Sequence, residues 1–170
     1  MKRAPIKTDL TAEFVRRLFD YNPETGWLTH KPRHGVVAGA RAGYVNAGYR
    51  SVKIHGKAYL EHRIIWLLVT GAWPEREVDH EDLDKTNNRW ANLRPATRSQ
   101  NVANGPVRSA RKHGTMKGAF YNVRNGVWQS RIRGSGGKEI HLGTFATEAD
   151  AHAAYVAAAK EMFGEFARAA

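Results

Sequence analysis

No cysteine occurs in the sequence. That excludes a disulfide framework, a thiolate zinc finger and a cysteine nucleophile, and leaves His, Asp, Glu and Asn as the side chains able to hold a metal. A reducing compartment is compatible with this composition. Long apolar runs are also missing: the longest, Ile64-Ile65-Trp66-Leu67-Leu68-Val69, is far too short to span a bilayer. Met1-Lys2-Arg3-Ala4-Pro5 leads into charged sequence rather than the apolar core of a secretion signal. The expectation is a cytoplasmic chain with no membrane partner. Acidic residues are scarce, 16 against 27 Lys plus Arg, for a formal net charge of +11, and such an excess favours a polyanionic partner. With 42% hydrophobic residues and five Trp among 170 residues, a disordered basic tail is excluded. The length suits one domain or two small ones.

The charge is unevenly placed. Residues 1–60 carry +7, residues 61–105 carry −1, residues 106–141 carry +7 and residues 142–170 carry −2. A protein that only coats nucleic acid has no electrostatic reason to gather Glu75, Glu77, Asp79, Glu81, Asp82 and Asp84 in one stretch. Carboxylates facing phosphates repel unless a cation lies between them. The stretch reads either as a metal site or as a solvated acidic loop.

Apolar spacing over Thr8–Phe19, with Thr11 as N-cap, predicts a short amphipathic helix. From the Pro23–Gly26 turn to about Leu60, glycines separate short alternating runs that read as a small, basic, antiparallel sheet. Leu60–Thr70 reads as a helix stopped by Gly71, Glu77–His80 as a strand entering a polar loop, Trp90–Thr97 as a returning strand and Arg98–Asn104 as a short helix. Residues 106–116 have the composition of a linker. Beyond it, strands at about 120–123, 127–133 and 139–142 are joined by Asn125-Gly126 and Gly134-Ser135-Gly136-Gly137. A helix then starts at Thr147, with Ala151, Ala154, Tyr155, Ala158 and Met162 on one face, and ends at Gly164.

Cutting a phosphodiester needs a nucleophilic water, a base to deprotonate it and a cation to neutralise the developing charge. Histidine suits the base, and a carboxylate suits Mg²⁺ or Mn²⁺. Neighbouring strand residues point to opposite faces, so Asp79 and His80 reach one site only where the strand bends or ends. The run His62-Arg63, Val78-Asp79-His80, Asn87-Asn88-Arg89, Asn92-Leu93-Arg94, Thr97 and Asn101 resembles the HNH nuclease signature of the homing-endonuclease type over roughly residues 20–105. The resemblance implies a ββα unit at about 60–105, with Asp79 and Asn101 holding one divalent cation, His80 as general base and Asn92 fastening the loop that positions His80. Asn101 stands where many members have histidine, as in one branch of the family. His62 reads as packing support or as a phosphate contact, with support favoured; Arg63 is open between the same two roles, and Arg98 between phosphate contact and plain exposure.

Residues 117–166 resemble the APETALA2/ethylene-response-factor type of DNA-binding domain through Lys117-Gly118-Ala119-Phe120, Trp128–Arg133, Ile140-His141-Leu142-Gly143-Thr144-Phe145, Thr147-Glu148, Ala151 and Ala154-Tyr155. Alternation puts Trp128, Ser130 and Ile132 on one face and Gln129, Arg131 and Arg133 on the other. Arg reads guanine edges and Gln reads adenine in a major groove. Asn122 and His141 are candidates on the neighbouring strands, with Lys117 and Arg124 as phosphate contacts. Phe120 stands where plant members have Arg, so their target sequence does not transfer.

The expected fold is α+β: an N-terminal small antiparallel sheet and a ββα-metal unit (1–105), a linker (106–116), and a three-stranded antiparallel sheet packed on one helix (117–170). The expected function is site-specific cleavage of double-stranded DNA, with no protein partner implied. The alternative is a DNA-binding regulator with an inactive HNH scaffold. RNA fits less well, because its A-form major groove is too narrow for a sheet.

Overall fold

The computed structural model of the protein describes residues 10–106, 115–134 and 137–168. The chain divides into two compact units, Met1–Pro95 and Ala96–Ala170. Residues 107–114 of the expected linker lie outside the described residues, as do Thr8, Ser135 and Gly136.

In the first unit, Thr11 accepts a hydrogen bond from the Phe14 N–H at 3.1 Å and starts α1 (Ala12–Leu18). The helix stops earlier than its apolar spacing predicts. Phe19 opens a strand instead, and β1 (Phe19–Asn22) pairs antiparallel with β2 (Trp27–His30). The hairpin turns at Gly26, whose φ of +72° favours glycine. A Cβ there would lie 2.6 Å from the Asn88 carbonyl carbon, so this glycine lets the turn press against the loop bearing Asn88. A three-stranded antiparallel sheet follows, with β4 (Tyr49–Ile54) between β3 (Tyr44–Asn46) and β5 (Lys57–Leu60). The next helix, α2 (Glu61–Thr70), ends as predicted at Gly71, in the left-handed conformation. Ile64, Ile65, Leu67 and Leu68 of α2 are buried with Val15, Phe19, Leu28, Val52 and Ile54. Each such side chain contributes roughly 1.5–3 kcal/mol relative to exposure. Then β6 (Glu77–His80), a 3₁₀ turn (Trp90–Asn92) and β7 (Leu93–Ala96) complete a two-stranded sheet.

The second unit holds α3 (Arg98–Asn104), which is started by a reciprocal cap. Thr97 Oγ1 accepts from the Gln100 N–H, and Gln100 Oε1 accepts from the Thr97 N–H at 2.8 Å. Strands β8 (Ala119–Asn122), β9 (Val127–Arg133) and β10 (Glu139–Phe145) form an antiparallel sheet with β9 central. The third strand runs longer than expected because a bulge between His141 and Gly143 resets its register. Across the sheet lies α4 (Glu148–Phe163), capped by Thr147. Its buried line is Ala151, Tyr155, Ala159 and Phe163, an i, i+4 series. Met162, expected on that face, is instead exposed, because the line drifts by one residue and takes in Phe163. As the period-two pattern requires, Ser130 and Ile132 of β9 are buried while Arg133 is exposed.

Candidate active site

Val78, Asp79 and His80 are all buried at the end of β6. The strand stops there: the Glu81 N–H donates to the Asn92 carbonyl at 3.0 Å, and the Leu83 N–H donates back to the His80 carbonyl at 3.1 Å. The two neighbours find different partners. Asp79 Oδ2 pairs with Arg94 Nε of β7 at 3.2 Å, whereas His80 Nε2 lies 3.0 Å from Asn88 Oδ1.

The polar loop between β6 and β7 is held by its own side chains. Asn92 Oδ1 accepts from the Asp82 N–H at 3.0 Å, and its Nδ2 donates to Asp82 Oδ1 at 2.9 Å and to the Asn87 carbonyl at 2.8 Å. Asn87 Nδ2 donates to Asp82 Oδ2 at 2.6 Å. Asp84 accepts from both the Thr86 N–H and its hydroxyl, which lowers the Asp84 carboxyl below its ordinary value. Two of the acids gathered in the sequence therefore serve loop architecture. Among the described residues no group of three or more His, Asp or Glu is disposed to hold a metal. Asp79 lies in the first unit and Asn101, on α3, in the second. One carboxylate and one amide oxygen are a hard-oxygen pair of the kind that suits Mg²⁺ or Mn²⁺.

Behind the histidine stands an aromatic and charged cluster. His62 of α2 meets His80 edge to face, ring centroids 4.9 Å apart, and Tyr49 lies 5.7 Å from His62. Burial first, then the neighbouring His80 and Arg63, push the His62 imidazole down to about 3. It is buried and packs against the Tyr49 and His80 rings. Arg63 is half-buried, and burial lowers its guanidinium from the ordinary value.

Sequence reasoning missed the layer beneath. Arg50 Nε donates to Glu61 Oε2 at 2.8 Å, with both residues buried, and Arg50 Nη2 donates to the Ala42 carbonyl at 2.5 Å. Burial raises the Glu61 carboxyl, against the lowering influence of Arg50 and the Asn88 amide. Asn88 is 1% exposed, and its carbonyl accepts from the Tyr21 hydroxyl at 2.9 Å. The available signal was the one acid of α2, Glu61, standing ahead of the apolar run Ile64–Val69.

The second unit carries the sequence-predicted DNA contacts, and the structure sorts them. Arg133 and His141 are exposed and Gln129 is half-buried, while Arg124 is exposed in the turn between β8 and β9. Arg131 is already engaged: Nη1 pairs with Glu139 Oε1 at 3.0 Å and its guanidinium lies 4.7 Å from the Phe120 ring centroid. Asn122 Oδ1 accepts from the Arg124 N–H at 3.1 Å, bracing the β8–β9 turn. Lys117 does not stand on this face. It is buried, its ammonium donating to the Ala103 and Gly105 carbonyls at the end of α3, and burial, with Arg168 nearby, pushes it down to about 8. Arg98 opens α3 and is exposed.

An Asp-His pair closing the first of two paired strands, with a loop fastened by asparagine and a helix after the second strand, is the arrangement expected of an HNH unit. Residues 59–103 match the family described as HNH endonuclease. The chain is also similar, at 35% identity over 113 residues, to a protein of Acanthamoeba polyphaga mimivirus named as an uncharacterized HNH endonuclease; the match covers 66% of this chain and 57% of that protein. The chain thus spans little more than half the length of that relative. No described helix is long and apolar enough to cross a membrane.

Proposed function

We propose that the protein is a site-specific endonuclease of the HNH homing type that hydrolyses a phosphodiester in double-stranded DNA. The observation that carries the reading is the position of His80: a histidine ending a buried strand, braced by Asn88 and by an Asn92-fastened loop, within a segment that matches the HNH endonuclease family. Asp79 and Asn101 are the residues that would hold a divalent cation, Mg²⁺ or Mn²⁺. Bound there, such an ion supplies charge neutralisation at the scissile phosphate and the 3′ oxygen. His80 accepts the proton of the attacking water as the new P–O bond forms and the P–O3′ bond breaks, and the departing 3′ oxygen takes a proton from solvent water, leaving a 5′ phosphate and a 3′ hydroxyl. Asn92 keeps the loop, and with it the approach to His80, in one geometry.

The exposed basic groups of the C-terminal sheet, Arg133, Arg124 and His141 with Gln129, supply the duplex contacts in this proposal, with the N-terminal basic sheet as a second grip. We place the working domains at 1–105 and 117–170. The test is conversion of supercoiled plasmid carrying a selected binding site to nicked circles in Mg²⁺ or Mn²⁺. Wild-type protein nicks and His80→Ala, at equal purity, does not. Equal rates overturn the assignment of the base. Binding that survives EDTA, without cleavage in either metal, favours the regulator reading.

A further inference from the structure

We propose that Asn88 positions the His80 ring and selects which of its nitrogens carries the proton, with the buried Glu61–Arg50 pair fixing the orientation of the Asn88 amide. The inference rests on the reading of His80 as general base. Its starting point is a contact that the reaction itself does not require: His80 Nε2 lies 3.0 Å from Asn88 Oδ1, and both residues are buried. An amide oxygen only accepts, so Nε2 must be the protonated nitrogen. In the neutral ring Nδ1 is then the basic atom, the one able to take a proton from water.

That conclusion depends on which way the amide points, and the layer behind it decides. Glu61 is fully buried and paired through Oε2 to Arg50 Nε at 2.8 Å. Its Oε1 and the Asn88 Nδ2 are both buried and make no hydrogen bond of ordinary geometry among the described residues. One is an acceptor and the other a donor, and the Asn88 amide favours the ionised form of Glu61. A flipped amide would turn its oxygen toward the carboxylate and leave two acceptors opposed in a dry site. The order Arg50, Glu61, Asn88, His80 therefore alternates donor and acceptor along its length. The Asn88 backbone is anchored independently by the Tyr21 hydroxyl at 2.9 Å and by the close approach of Gly26.

Two measurements on the full chain test this. With ¹⁵N-labelled histidine, long-range ¹H–¹⁵N correlation spectra identify the protonated nitrogen of His80, the resonance being assigned by its loss in His80→Gln. Nε2–H as the neutral form is expected, and Nδ1–H overturns the proposal. The second measurement is single-turnover nicking at saturating DNA together with DNA affinity. Asn88→Leu is expected to lower the rate constant about 10–100-fold with affinity held within about twofold, and Asn88→Gln, which keeps both the acceptor for His80 and the donor for Glu61, to lose about tenfold less than Leu. Wild-type rates for Asn88→Leu, or equal losses for Leu and Gln, overturn it. If the Leu variant does not fold, Asn88→Gln and the wild-type tautomer decide. A wild-type protein that does not nick removes the proposed function, and the tautomer alone then decides the hold of Asn88 on the ring.

Discussion

The imidazole of His62 meets that of His80 edge to face with ring centroids 4.9 Å apart, and the two histidines face different electrostatic surroundings. Asn88 gives His80 a hydrogen-bonding partner, whereas His62 Nδ1 has none among the described residues. Burial first, then the neighbouring His80 and Arg63, lower the His62 imidazole.

This has a consequence for stability against pH. Burial lowers His62 from 6.5 to about 3 in the folded chain. Between those values the unfolded chain takes up a proton that the native chain refuses. The contribution of neutral His62 is thus fully present above about pH 6.5 and is lost as the pH falls toward 3, by at most roughly 1.4 kcal/mol per pH unit. Replacing His62 with Leu is expected to flatten that part of the slope in urea titrations run at pH 4, 5 and 6. An unchanged slope would show that His62 is charged in the native state.

Breaking the Arg50–Glu61 pair from one side should be severe. Both residues are buried, and Arg50→Met leaves the Glu61 carboxylate in a dry site without its cation. The expected loss is about 3–5 kcal/mol in denaturant unfolding. Glu61→Gln, which keeps an acceptor for Arg50 and a similar volume, should cost clearly less. Equal losses would mean that packing and not charge holds the site.

The elements that were legible in the sequence are those written in short-range code. Thr11 caps α1, Gly71 ends α2, and alternation in β9 divides Ser130 and Ile132 from Arg133. The Asp79-His80 pair and its asparagines could be found because their order and spacing are unusual. What stayed hidden depends on long-range contact. Phe19 fits the helical period of α1, yet it turns into β1 because pairing with His30 and burial in the core outweigh helix propensity. Glu61 and Arg50 are eleven residues apart on different elements, and nothing local announces that they pair. Lys117 resembles any basic residue of a DNA-binding segment until the end of α3 is seen to receive it.

Lys117 gives a prediction that separates fold from DNA contact. Its ammonium satisfies two carbonyls at the C-terminal end of α3, so Lys117→Met should lower stability by about 1–3 kcal/mol, the cost of leaving buried acceptors unpaired. The salt dependence of DNA binding should not move, whereas Arg133→Ala or Arg124→Ala should reduce the slope of log K against log salt by about one each. A reduced slope for Lys117→Met would return Lys117 to the phosphate contacts.

Glu139 is the one acid within the basic stretch 106–141, and it pairs with Arg131 on the open face of the sheet. Both side chains are more than a third exposed, so the pair adds at most about 1 kcal/mol to stability. Against a duplex it has a larger effect, because Arg131 must leave Glu139, or carry that carboxylate toward the phosphates. Glu139→Gln is therefore expected to leave the unfolding midpoint nearly unchanged while steepening the salt slope of DNA binding by about one and tightening binding at low salt. The gain should be lost when Arg131 is also replaced by Ala, since the added attraction acts through the released guanidinium. A slope that stays the same in Glu139→Gln would place the DNA on another surface of the chain.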